Sequence, residues 1–212
     1  FEVIKNNKAI QMLVVSASSD KLAAQAKTSA VTVAMFAVLA GSKAAQGTVS
    51  ALTTVPCCII TFLAISTIAT KLGQRKAMLI GSWGGIVMNA LLACLWIFGD
   101  PTTITTDAAK GTLNFGSMFL LAHLGLSILQ AGFQGISGNI VIPMTADCAD
   151  YEVYRSGKYL PGLMGTLFSF VDKIISSFAP MIASFVFAAI GFTDRNPTNP
   201  EDNIPELKYA VA

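Results

Sequence analysis

The chain has 212 residues, of which 53% are hydrophobic and only 12% charged, and its net charge is +2. A soluble domain carries about 25% charged residues, so the polar side chains here are too few to cover a water-facing surface. The composition excludes an ordinary soluble domain and points to an integral membrane protein.

A bilayer-crossing helix needs about 20 mostly apolar residues. Five stretches meet that length, at 9–40, 49–69, 77–98, 112–145 and 160–192. Pro56, Pro143 and Pro180 are expected to kink their helices or to mark helix ends. The first stretch is the most polar, with "SASSDKLAAQAKTSAVT" at its centre. At 100° per residue, Ser16, Asp20 and Lys27 form one stripe. Lys21, Gln25, Thr28 and Thr32 form a second, and alanines and valine fill the rest. Asp20 and Lys27 are two turns apart, about 10 Å along the axis. They meet only if both side chains reach or a water bridges them.

The second and third stretches are joined by "TKLGQRKA", with Lys71, Arg75 and Lys76. The third contains "GSWGG" and the fourth "GFQGISGN", whose small residues suit close helix packing. In the fourth, His123, Ser127, Gln130, Gln134 and Ser137 step by four, three, four and three, and so share one face. Lipid cannot satisfy such a stripe. Two readings stay open, interhelical hydrogen bonds or a solute-lining wall. His123, the one histidine, reads more readily as a hydrogen-bonded packing residue than as a proton relay.

The fifth stretch, "GTLFSFVDKIISSFAPMIASFVF", sets Asp172 and Lys173 side by side in an apolar run. Neighbours on a helix point in different directions, so each needs its own partner. Lys173 shares its face with Thr166, Ser169 and Ser177. Charges at this depth cost a few kcal/mol or more. They are either structural pairs or groups on a substrate or ion pathway, and the pathway is favoured for Lys173.

Connections alternate in charge. Lys5 and Lys8, then Lys71, Arg75 and Lys76, then Arg155 and Lys158 fall on one side. "GSKAAQG", "GDPTTITTDAAKG" and "TDRNPTNPEDNIPE" fall on the other. The positive-inside rule places the N-terminal end in the cytoplasm. Asp147, Asp150 and Glu152, just before Arg155 and beside "KLGQRK", suggest a network of loop contacts that holds one conformation shut. Cys57, Cys58, Cys94 and Cys148 lack zinc-type spacing and read as apolar packing residues. No strand alternation, phosphate loop, metal cluster or nucleophile elbow stands out. The basic residues are not interleaved with aromatics, which argues against nucleic acid. No cofactor is expected. Asp147 and Asp150 leave one further alternative, a membrane-embedded enzyme using them as an acid/base or metal pair.

"MTADCADYEVYRSGKYLPGLMGTLFSFVDKI" resembles the segment joining helices ten and eleven of the glycoside–pentoside–hexuronide:cation symporters, the melibiose-permease-like branch of the major facilitator superfamily. The carrying residues are Ala146-Asp147, Asp150-Tyr151, Arg155 with Gly157, and Lys173. "KLGQRK" resembles the superfamily's basic loop after helix eight, and "IKNNKAIQMLVVSAS" the family's entry into helix seven. The resemblance implies an all-α membrane protein in which five transmembrane helices belong to the C-terminal six-helix half of a twelve-helix transporter. The sixth would be truncated at "LKYAVA", making the chain a fragment. It further implies a multi-pass protein of the inner (plasma) membrane. Such a protein performs secondary active transport of a sugar or glycoside, coupled to sodium or a proton, by alternating access. The main cation site would lie in the missing N-terminal half, and Lys173 would match a lysine implicated in coupling and sugar binding. Candidate pathway residues are Asp20, Lys27, His123, Gln130, Gln134, Asp172 and Lys173, in a cavity expected between the first, fourth and fifth helices. Candidate residues of the cytoplasmic gate are Lys71, Arg75, Lys76, Asp147, Asp150, Tyr151 and Arg155. The alternative on the same fold is a carrier of a non-sugar solute such as a lipid or peptide.

Overall fold

The computed structural model describes residues 7–28, 32, 35–36, 40, 42–107 and 112–189. The entry into the first helix at 1–6, the loop and tail from 190 onward, and parts of the first stretch after residue 28 lie outside the described residues.

Five long helices are built, each with a local cause for its ends. Helix α1, Lys8–Ala26, starts where the Asn7 side chain accepts a hydrogen bond from the Ile10 N–H. It passes into a π-helical turn at residues 27–28. Helix α2, Lys43–Ala64, is capped by Ser42, continues through a π turn at Ile65–Ala69, and ends in one more α turn at Thr70–Leu72. Gly73, at φ 83°, then reverses the chain, a conformation that favours glycine. Helix α3, Gln74–Phe98, follows at once. Helix α4, Met118–Ser156, is capped by Ser117 and stopped by Gly157 in the left-handed region. Helix α5, Pro161–Ala189, opens on a proline, whose missing N–H costs nothing at a first turn.

Several boundaries differ from the sequence expectation. The second helix starts at Lys43, not 49, because Ser42 supplies a cap ahead of the apolar run. The fourth starts at Met118, not 112, because Thr112–Leu113 (β2) pairs antiparallel with Thr105–Asp107 (β1) in a small ribbon. No strand was expected there. The same helix runs to Ser156 rather than 145, so the charged segment read as a loop is helical. No glycine or proline interrupts it between Pro143 and Gly157.

Helix α4 is the central post and packs against each of the other four helices. Helices α1 and α5 pair beside it. The main chains of α3 and α4 come together at Gly81, where a Cβ would stand 2.8 Å from the Ser137 backbone nitrogen and 2.9 Å from the Phe133 carbonyl oxygen. The outer surface is apolar, with Val55, Ile59, Phe62, Trp83, Ile142, Phe170 and Phe185 all exposed. Water would penalise that skin, whereas lipid satisfies it. Among the described residues, four helical segments are long and apolar enough to cross a membrane: Ala44–Leu72, Gln74–Phe98, Met118–Ser156 and Pro161–Val186. Helix α1 is the polar member and buries Ile10, Leu13 and Ala17. The molecule is an all-α membrane protein.

Two apolar clusters cap the bundle interior. One gathers Phe36, Trp96, Ile104, Phe119 and Leu120. The other gathers Ile10, Leu13, Met78, Ile136, Ile140, Cys148 and Met164. On α4 the polar residues His123, Ser127, Gln130 and Gln134 lie between Leu120 of the first cluster and Ile136 of the second.

Candidate functional site

Between the clusters lies a cavity of about 460 Å³. Lys27, Thr28, Thr32 and Phe36 line it from the first stretch, Ser50 and Thr53 from α2, Asn89 and Trp96 from α3, and His123, Ser127, Gln130 and Gln134 from α4. Its lining includes exposed residues, Ala23, Thr28, Ser50 and Asn89, so it is open on one side.

The α4 stripe forms its back wall because its spacing turns four of the five polar residues inward. Ser137, the fifth, donates to the Gln134 carbonyl oxygen at 3.0 Å and packs under Gly81. Lys27 Nζ donates to Gln130 Oε1 at 2.8 Å, and Gln130 Nε2 donates to Gln134 Oε1 at 3.0 Å. A lysine ammonium can only donate, which fixes the orientation of both amides. The amide nitrogen of Gln134 is then left as a donor.

The end of the cavity is aromatic. Trp96 Nε1 donates to His123 Nδ1 at 3.1 Å, and the two rings meet edge to face, with Phe36 edge to face against both. An indole N–H is donor only, so His123 Nδ1 must accept and the proton sits on Nε2. Nε2 lies 3.4 Å from Ser127 Oγ. Both ring nitrogens of His123 are thereby engaged.

The expected pathway residues separate into two groups. Lys27, His123, Gln130 and Gln134 share the cavity. Asp20 faces α3, where Ser82 Oγ donates to its Oδ2 at 3.3 Å. Asp172 pairs with Lys21 at 3.3 Å, tying α5 to α1. Lys173 is exposed on the outer face of α5, with Thr166, Ser169 and Ser177. The expectation that the fifth helix lines this cavity needs correction, because α5 packs against α1 and none of its described residues reaches the lining. Asn89, Ser50, Thr53 and Trp96 were missed. Asn89 and Trp96 are seven residues apart, two turns on one face, and a lone asparagine in an apolar helix was the available signal.

At the other end of the bundle, Arg75, Asp147 and Tyr151 line one groove of about 680 Å³ with Met12, Met78 and Met144. Lys71, Lys76 and Asp150 stand exposed. Among the described residues, no ion pair joins Lys71, Arg75 or Lys76 to Asp147 or Asp150. The joining residue is Glu152, only 1% exposed. Asn7 Nδ2 donates to Glu152 Oε2 at 2.9 Å, and Arg155 Nη2 meets Glu152 Oε1 at 2.9 Å. Because α4 stays helical, Glu152 points inward at the α1 cap while its neighbours point out. Among the described residues, no group of three or more His, Cys, Asp or Glu side chains could hold a metal ion.

An apolar-skinned helix bundle with a polar cavity between two apolar plugs is built as a membrane transport protein is. The chain belongs to the family described as MFS/sugar transport protein, whose model matches residues 1–212. No match was found among curated proteins or among solved structures.

Proposed function

We propose that this chain is the C-terminal half of a melibiose-permease-like secondary transporter, moving a sugar or glycoside with sodium or a proton by alternating access. The observation that carries the reading is the cavity lined by Lys27, Asn89, Trp96, His123, Gln130 and Gln134. Amides and hydroxyls there suit a polyhydroxylated solute, and its volume falls in the range of small-molecule sites. The open side carries Thr28, Ser50 and Asn89, which lipid cannot satisfy. A second half-transporter docked there completes the chamber and shelters the outward Lys173 face. The basic end, with Lys71, Arg75 and Lys76, lies in the cytoplasm of the inner membrane on this reading. The Asn7–Glu152–Arg155 cluster then belongs to the cytoplasmic closure, which must loosen in one of the two states.

The test is uptake of labelled glycosides by the full-length protein in vesicles, with and without an imposed sodium or proton gradient. Accumulation of one sugar driven by one gradient is the expected result. Folded, inserted protein that accumulates no sugar would shift the reading to another cargo, such as a lipid or peptide.

A further inference from the structure

Lys27 enters the cavity as a cation with no opposite charge beside it. Among the described residues that line the cavity there is no aspartate or glutamate. The two carboxylates at membrane depth on α1 and α5 are engaged elsewhere, Asp20 by Ser82 and Asp172 by Lys21. The only bond of Lys27 Nζ among the described residues goes to the neutral Gln130 Oε1, at 2.8 Å. Two of its three N–H donors therefore have no acceptor there. An ammonium away from bulk water without a counter-charge is costly.

The hydroxyls of the lining differ in what they can offer a negative charge. Thr28, Thr32 and Thr53 donate their protons to the carbonyl oxygens of Ala24, Lys27 and Val49 and have none left for a ligand. Ser127 is the exception. Trp96 donates to His123 Nδ1, so the imidazole proton sits on Nε2 and is directed at Ser127 Oγ, 3.4 Å away. The serine oxygen accepts that bond, and its own proton has no acceptor among the described residues. Ser127 stands three residues before Gln130 on the same face of α4, beside the point where Lys27 docks. An ammonium and a free hydroxyl proton thus share one wall. One cation matches one negative charge, whereas a divalent anion would leave an excess of the opposite sign. A spherical ion takes up only a small part of the cavity of about 460 Å³.

We propose that the cavity holds a small monovalent inorganic anion, a halide such as chloride, bound by Lys27 Nζ and the Ser127 hydroxyl as the resident counter-ion of Lys27. The site goes beyond the transport reading and does not rest on it: sugar uptake can fail while the anion site stands.

The experiment follows thermal unfolding of the full-length protein in detergent while chloride or bromide replaces isethionate at constant ionic strength. Isethionate is also monovalent, but its charge is spread over three oxygens and its carbon chain must enter with it. The expected result is a saturable rise in the midpoint, half-complete at about 10 mM halide. At about tenfold that concentration the rise should reach about 2 °C or more. Lys27→Gln should remove the rise and Lys27→Arg should keep it, while Ser127→Ala should weaken halide binding about fivefold. Crystals of the same protein soaked in bromide should show anomalous density against Lys27 Nζ and Ser127 Oγ. A midpoint that does not change as halide replaces isethionate overturns the proposal, whether or not any variant folds. A rise that survives Lys27→Gln overturns it too, as does bromide density found only away from these two side chains. A halide affinity unchanged by Ser127→Ala overturns the part assigned to the serine.

Discussion

Two contacts make predictions at the level of single residues. The Trp96–His123 bond is buried, so Trp96→Phe should leave His123 Nδ1 without its donor. The expected cost is about 1–3 kcal/mol, read as a lower unfolding midpoint in detergent; an unchanged midpoint would mean that the bond is incidental. The Lys21–Asp172 pair is 38% and 26% exposed on its two sides, which in water would mark a weak surface bridge. Here that exposure faces the membrane interior or a protein partner. A double-mutant cycle on Lys21→Met and Asp172→Asn should therefore give a coupling above about 1 kcal/mol, and a value near zero would return the pair to the surface class.

Between elements, the α3–α4 seam is set by backbone contact at Gly81. Gly81→Ala should cost about 1–3 kcal/mol in thermal unfolding, because the added Cβ meets main-chain atoms of α4 that no rotamer can move. Gly85, one turn further along the same helix, has nothing within 4 Å of its would-be Cβ. Gly85→Ala should be neutral or stabilising by up to about 1 kcal/mol through helix propensity. Equal effects at the two sites would refute the packing account. The seam also marks what was legible in the sequence. The His123-to-Ser137 stripe could be read directly because it follows the period of one helix. The partner of Lys27 could not, because Gln130 is 103 residues away and only tertiary packing brings it near. Glu152 was submerged among loop charges until the helix was seen to continue, since only then does one acid of that run turn inward. Asn89 and Trp96 fell through for a related reason, as two polar groups in an apolar helix make no stripe.

At the scale of the whole molecule, the apolar skin separates a membrane protein from a misread soluble one. Ile59, 56% exposed near the middle of its helix, should tolerate aspartate in water with little effect. In a bilayer, Ile59→Asp should raise the apparent insertion cost by about 3 kcal/mol, visible as lost membrane integration in a glycosylation-mapping assay. Full integration of that variant would argue against lipid at this face. The five helices also divide the labour. Four supply hydrophobic length, while α1 carries Asp20 and Lys21 in its interior and meets α3 and α5 through them.

That division constrains how the protein is made. Helix α1 leaves the ribosome before the groups that hold it: Glu152 lies 145 residues after Asn7, and Gln130 lies 103 after Lys27. At about 5–20 residues per second, the interval before Glu152 is synthesised is about 7–29 s. Ser82, the partner of Asp20, comes earlier with α3, but Lys27 and Lys21 wait for Gln130 on α4 and Asp172 on α5. Within these five helices, the polar groups of α1 gain their full set of partners only when α4 and α5 arrive, so α1 depends on the insertion machinery or the bilayer edge to hold it until then.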